Sequence, residues 1–404
     1  MTSSPTLSSD GRTMYVGSLD EHLHAIDTRT GQMIWKYKTG GSINSSPALS
    51  PDGQFVYVGS NDHFLHAVSA ATGKKKWAYE TGNWVWSSPT VSSDGAAVFV
   101  GSLDQKMHCV NDHDGSKNFT YDTADQIWSS PVLSLNENVL YWGSNDKYVH
   151  ATDLWTIHFK QEGGERQKRF YKWKYLTDGG IYSSPCLGPE GKVLYVGSFD
   201  KYLHAITTAD GLGHWKFLTQ GEIYSSPTVS PDGLTVYICS KDTYIYAVNA
   251  VDGTQKWKFK TNGPIVSSPA LSADGRTLYV GSSDSIIYVL NTAGGSQKWV
   301  YHTLTGYFVD SSPAVRQNWI YVGSSDSAVY AIQDLDWRGS GTLDQSVLGS
   351  EACLENCVIK KVRAAPHNLT LWLLQNSGGT RSSVGSGGMW FLMGGLILWC
   401  RTRW

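Results

Sequence analysis

Apolar and polar positions alternate along this chain in short runs, and turn signals interrupt the alternation every eight to twelve residues. Residues 45–81 show one full unit. Residues 45–50 alternate, Pro51-Asp52-Gly53 turns the chain, and residues 55–59 follow with β-branched and aromatic side chains. Asn61-Asp62-His63 turns it again before residues 64–68, and Ala71-Thr72-Gly73-Lys74 does so before residues 76–81. A period of two over runs this short predicts strands, and no helix is needed. Gly73 supplies the positive φ that a tight hairpin requires. The unit reads as a meander of four antiparallel strands.

The unit repeats. Ser-Ser-Pro occurs eight times, with prolines at Pro5, Pro47, Pro89, Pro131, Pro185, Pro227, Pro269 and Pro313. The spacing is 42 residues except for 54 after Pro131 and 44 after Pro269. A fixed period of this size means supersecondary units that bury their faces against one another. Eight four-stranded units predict an all-β fold, an eight-bladed β-propeller over residues 1–337. Proline has no donor for a ladder, so its recurrence makes the first strand an edge, as a channel-lining strand is. Trp35-Lys36-Tyr37-Lys38-Thr39 and Trp257-Lys258-Phe259-Lys260-Thr261 suit the opposite, outer edge, where lysine discourages further pairing.

Two irregularities stand out. Blade four carries about 12 extra residues around Gln161 to Arg169, read as a solvated rim loop. The eighth repeat has strands at 311–315, 319–323 and 328–332 but no Gly-x3-Trp strand after them, so it is expected to be one strand short. Residues 338–404 lose the repeat rhythm and are expected to form a disordered tail. Within it, residues 384–400 are uncharged but contain five glycines. That run is shorter than the roughly 20 residues a spanning helix needs, so membrane attachment through 384–400 is not the expectation.

Charge narrows the function classes. A net charge of −2 with 17% charged residues leaves no footprint for nucleic acid or an anionic membrane. Cys109, Cys186 and Cys239 replace the small residues Ala25, Ala48 and Gly59 of other repeats and read as buried hydrophobes. Cys353 and Cys357 form an isolated C-x3-C with no metal reading. The N-terminus, as given, has no basic segment followed by an apolar run, which taken literally means a cytosolic protein; an N-terminal extension would allow export. There is no Walker A loop, G-x-S-x-G, H-E-x-x-H or C-x-x-C.

Ala25-Ile26-Asp27-Thr28-Arg29-Thr30-Gly31 followed by Trp35 resembles the A-x-D-x-x-T-G-x-x-x-W repeat of pyrroloquinoline-quinone-type propellers. Looser copies end at Trp77, Trp215, Trp257 and Trp299, with Phe119 in the aromatic position of blade three and Trp173 after the insertion. The resemblance spans roughly residues 3–333 and implies that these aromatics dock blade on blade. It also implies two functional classes. One is a quinoprotein dehydrogenase oxidising alcohols or sugars with quinone and calcium; the other is a cofactor-free scaffold that binds proteins. This chain lacks the adjacent cysteine pair of the methanol-dehydrogenase type and the long insertions that build a cofactor site. The expectation is therefore a non-catalytic scaffold without cofactor. The alternative is a quinone-dependent oxidoreductase, with Trp86 or Trp128 stacking on the quinone and an aspartate as base.

Three sets of recurring positions remain. Asp20, Asp62, Asp104, Asp146, Asp200, Asp242, Asp284 and Asp326 sit in every second-to-third-strand turn and read as turn formers, not calcium ligands. His24, His66, His108, His150 and His204 give way to Tyr246, Tyr288 and Tyr330, an exchange that suits a half-buried aromatic better than a metal ligand. The third set varies. Before each Ser-Ser-Pro an aliphatic residue is nearly constant, while its neighbours are Asn44, Trp86, Trp128, Tyr182, Tyr224, Val266 and Asp310 on one side and Ser42, Trp84, Gln126, Gly180, Glu222, Pro264 and Phe308 on the other. In a meander the linkers and the second-to-third-strand turns share one face. Side chains varied on a constant scaffold are where recognition is expected. Asn44, Trp84, Trp86, Trp128, Tyr182, Tyr224, Phe308 and Asp310 are thus candidate contacts for a protein or a small planar ligand. A plug for a wide channel explains the same aromatics equally well.

Overall fold

The computed structural model describes residues 3–154, 171–303 and 307–334, together with the backbone of Cys357–Arg363. The described residues are strands and turns without a helix, arranged as eight sheets of four antiparallel strands paired in chain order. Blade two is representative: Ala48–Leu49, Phe55–Gly59, Phe64–Ser69 and Lys75–Glu80. Its middle pair runs in register from Phe55 opposite Ser69 to Gly59 opposite Leu65, and a bulge between Ala67 and Val68 twists the outer pair. The two middle strands hold the buried positions, and the outer strand alternates half-buried with exposed.

The two serines of the repeat have separate tasks. The first binds its own blade: the Ser45 hydroxyl accepts from the Gly59 amide at 3.1 Å, and Ser87 does the same for Gly101. The second binds the next blade. The amide of Ser4 donates to Ser46 Oγ, Ser46 to Ser88, Ser88 to Ser130, Ser130 to Ser184, Ser184 to Ser226, Ser226 to Ser268, Ser268 to Ser312, and Ser312 back to Ser4, all at 2.8–3.0 Å. This closed circle of charge-neutral bonds runs along the inner edge. Proline follows each serine pair where no ladder donor is required.

The core lies between blades. Tyr57, Leu65, Ala67 and Trp77 of blade two pack with Val98, Val100 and Val110 of blade three, and the pattern recurs around the ring. The recurring tryptophans are not all alike: the buried Trp299 Nε1 has no hydrogen-bond partner among the described residues. Trp35, Trp77, Trp173, Trp215 and Trp257 each donate from Nε1 to a carbonyl 35 residues on, in the next blade, at 2.7–3.0 Å. Each of these five indoles also lies over a positive-φ glycine in the third-to-fourth-strand turn of the next blade; a Cβ on Gly115 would sit 2.8 Å from the Trp77 ring.

Blade eight is one strand short of the repeat, as expected. The repeat does supply only three strands there, Ala314–Arg316, Trp319–Gly323 and Ala328–Asp334. The fourth place is filled by Cys357–Arg363, antiparallel to Ala328–Asp334, with Ala328 opposite Arg363 and Asp334 opposite Cys357. A disordered tail therefore does not describe these seven residues. The physical reason is that an interior strand left at an edge presents unpaired backbone groups to any extended segment, with or without a repeat motif. The remaining tail, including 384–400, Cys353 and the boundary at Trp337, lies outside the described residues, as does the insertion from Gln161 to Arg169. Blades eight and one also join through Arg316, which donates to the carbonyls of Ser8 and Ser9, and through an apolar cluster of Met14, Val16 and Ile26 with Tyr321, Val329 and Ala331.

Candidate binding face

Each linker is anchored before it is varied. Ile43, Val85, Ile127, Ile181, Ile223, Ile265 and Val309 are completely buried. The residue three before each of these Ser-Ser-Pro motifs is held by its carbonyl, which accepts from the amide preceding the turn aspartate: Asn61 to Ser42, Leu103 to Trp84, Asn145 to Gln126, Phe199 to Gly180, Lys241 to Glu222, Ser283 to Pro264 and Ser325 to Phe308. Linkers and turns are thereby stitched into one face.

The aspartates do the stitching. Asp62 accepts from the amides of Phe64 in its own turn and Gly40 in the preceding linker, and from His66 Nε2 at 2.9 Å. Burial alone would raise that carboxyl, but the hydrogen bond and charge of His66, with the two amides, hold it down at about 2. Asp20 is likewise held at about 2, and Asp104, Asp146 and Asp200 are lowered by their own histidines against the same cost of burial. Where tyrosine replaces histidine, its hydroxyl donates to the aspartate instead, as Tyr246 does to Asp242 at 2.7 Å. The far nitrogen of three histidines meets a tyrosine of the preceding blade: Tyr37 to His66, Tyr79 to His108 and Tyr175 to His204, at 3.0–3.1 Å. These residues act in turn and seam geometry. The three described cysteines are also inert: burial raises the thiols of Cys109, Cys186 and Cys239.

Five of the candidate residues, Trp84, Trp86, Trp128, Tyr182 and Tyr224, meet in a continuous arc. Trp84, 42% exposed, lies parallel to Trp86 with ring centroids 6.0 Å apart. Trp86 meets Trp128 edge to face at 4.4 Å, and Trp128 meets Tyr182 at 4.6 Å. Tyr182 stacks on Phe199 at 4.3 Å, and Phe199 meets Tyr224 at 4.4 Å. The ammonium of Lys241 sits 4.0 Å over the Tyr224 ring and pairs with Glu222 at 3.2 Å. At the other end Asn61 Oδ1 accepts from Trp86 Nε1 at 2.6 Å and, at 3.5 Å, from Asn44. The buried Trp128 Nε1 has no hydrogen-bond partner among the described residues.

Phe308 and Asp310 share the face but stand apart from the arc. Phe308 is 55% exposed, and Asp310 accepts from the Ser283 hydroxyl at 3.1 Å. Burial pushes the Asp310 carboxyl up. Three contributors escaped the sequence reading: Asn61, Phe199 and Lys241. All precede the constant turn aspartate, a position that runs Leu19, Asn61, Leu103, Asn145, Phe199, Lys241, Ser283 and Ser325. The same contrast of varied against constant residues that singled out the linkers would have found them.

Fold and face together define the class: an eight-bladed propeller of pyrroloquinoline-quinone-like repeats, one of whose faces is built to vary. The family described as outer membrane protein assembly factor BamB matches residues 1–85 and 152–340, and the chain belongs to that family. The crystal structure of BamB from Moraxella catarrhalis is similar with a TM-score of 0.66 at 19% identity, covering 83% of this chain and 95% of that one. At that identity the likeness shows the fold. No curated protein matches.

Proposed function

We propose that this chain is a non-catalytic scaffold that binds a protein partner through the arc from Trp84 to Lys241. The observation that carries the reading is the arc itself: five aromatic rings on four successive linkers and a sixth, Phe199, from a neighbouring turn, in one continuous row flanked by an amide and an ion pair. Rigid aromatic anchors with a polar rim are the usual core of protein recognition. Small planar ligands favour enclosing pockets, whereas Trp84 stands at an open rim. Membership of a family described by an assembly role supports the same direction.

The test is capture of the partner by the full chain, followed by a comparison of Trp86→Ala and Trp128→Ala. Each substitution is expected to weaken binding by about tenfold or more, with the circular dichroism of the propeller retained. Unchanged affinity in the double variant would sink the proposal. Adding pyrroloquinoline quinone and calcium to the pure protein, with a dye as acceptor and alcohols or sugars as donors, tests the oxidoreductase alternative directly.

A further inference from the structure

The seam between blades three and four departs from its neighbours on the face opposite the arc. In five other seams a tryptophan donates to a carbonyl 35 residues on, at Ala70, Asp112, Thr208, Ala250 and Thr292, while the buried Trp299 Nε1 has no hydrogen-bond partner among the described residues. A second donor reaches two of those carbonyls: the hydroxyls of Tyr15 and Tyr195 approach Ala70 and Ala250 at 3.4 Å. In blade three both donors are gone. Phe119 stands in the tryptophan position, and Phe99 replaces the tyrosine present at Tyr15, Tyr57, Tyr141, Tyr195, Tyr237, Tyr279 and Tyr321. The corresponding carbonyl belongs to Leu154, which is 35 residues after Phe119.

The seam holds a cavity of about 190 Å³, walled on the apolar side by Ala97, Phe99, Cys109, Phe119, Leu133 and Leu154 and also lined by the polar side chains of Ser92, Asp94, Asn118, Asn136, Glu137 and Asn138. Ala97, Phe99, Cys109 and Leu154 are buried, so the apolar walls are fixed parts of the core. An apolar cavity of about 150 Å³ is large enough to take up benzene. This one combines an apolar side with a carbonyl whose usual indole and phenol donors are missing.

We propose that this cavity binds a small, uncharged, planar aromatic molecule bearing one N–H or O–H donor, of indole size. The ring takes the place of the absent tryptophan side chain, and its donor faces the Leu154 carbonyl. An anionic ligand is disfavoured beside the Asp94 and Glu137 carboxylates, and the apolar side formed by Phe99, Phe119, Leu133 and Leu154 favours an uncharged ring. The site shares no residue with the arc and stands independently of the proposed protein binding.

Free indole is the probe, titrated into the full chain by calorimetry and ligand-observed NMR. Saturable binding at one site is expected, with 1-methylindole weaker by about threefold to tenfold because it has lost the donor. Phe119→Trp should fill the cavity, raise the thermal midpoint and abolish indole binding. Phe99→Tyr, which restores only a hydroxyl, should weaken it, and decides the matter if Phe119→Trp does not fold. Trp86→Ala with Trp128→Ala should leave indole affinity unchanged. No saturable binding to the wild-type chain, undiminished binding in a folded Phe119→Trp or in Phe99→Tyr, or loss of binding in the arc variant would each overturn the assignment.

Discussion

At the scale of single residues the chain gives its constant polar groups fixed partners and places its variety elsewhere. Ser45 ties its blade together, and Ser46 ties that blade to its neighbour, although the two are chemically identical and adjacent. No pattern of residue types separates their roles, because the difference is only in which way each hydroxyl points. The turn aspartates carry a pH dependence. Asp62 titrates near 3.8 in an unconstrained chain and at about 2 here, so its ionised form stabilises the fold above about pH 4. That contribution fades as the pH falls through the interval toward 2, and Asp20 behaves alike. Asp62→Asn should therefore lower the denaturation midpoint at pH 6, and the gap from the wild-type chain should narrow steadily between pH 4 and 2. A gap independent of pH, followed by urea denaturation at each pH, would show that the carboxylate charge is not what His66 and the amides hold.

At the scale of the element, the seam is the unit that matters, and it was largely legible. The period gave eight blades, and the tryptophan spacing gave the docking partners, because a large ring at a constant offset must meet the same neighbour each time. The matching glycine is equally constrained. Gly115 has φ +74°, and a Cβ there would press on the Trp77 ring at 2.8 Å; Gly53 has φ +71° with nothing within 4 Å of such a Cβ. Gly53→Ala should cost about 1–2 kcal/mol from backbone strain alone. Gly115→Ala should cost about 2–4 kcal/mol, the excess coming from displacing the indole. Equal losses in chemical denaturation would mean the indole yields freely. The arc was half legible. Trp86, Trp128, Tyr182 and Tyr224 were visible as varied linker positions, yet Asn61, Phe199 and Lys241 come from turns whose approach to those linkers depends on the packing of one blade against the next.

At the scale of the whole molecule the question is closure, and the pattern reads the repeat's own share of blade eight as the three strands it supplies. A missing Gly-x3-Trp strand reads as an open blade, but strand pairing is a backbone property, and Cys357–Arg363 satisfies it with no repeat residue. Closure thus has two components. One lies on the inner side: the Ser312 amide on Ser4, Arg316 on the Ser8 and Ser9 carbonyls, and the apolar contact of Tyr321, Val329 and Ala331 with Met14, Val16 and Ile26. The other is the added outer strand. Because the first component buries side chains while the second adds a ladder to an edge, they should be separable. A chain ending after Asp334 is expected to keep the circular dichroism of the propeller but to melt at a lower temperature. Those alternate amides of Ala328–Asp334 that face the outer strand should lose hydrogen-exchange protection, while those of the same strand that face Trp319–Gly323, and the Asp334 amide on the Asn318 carbonyl, keep theirs. The bared edge should also raise the tendency to associate at high concentration. If protection across Ala328–Asp334 were the same in the long and short chains, the outer strand would contribute nothing to closure, and the inner contacts alone would hold blade eight against blade one.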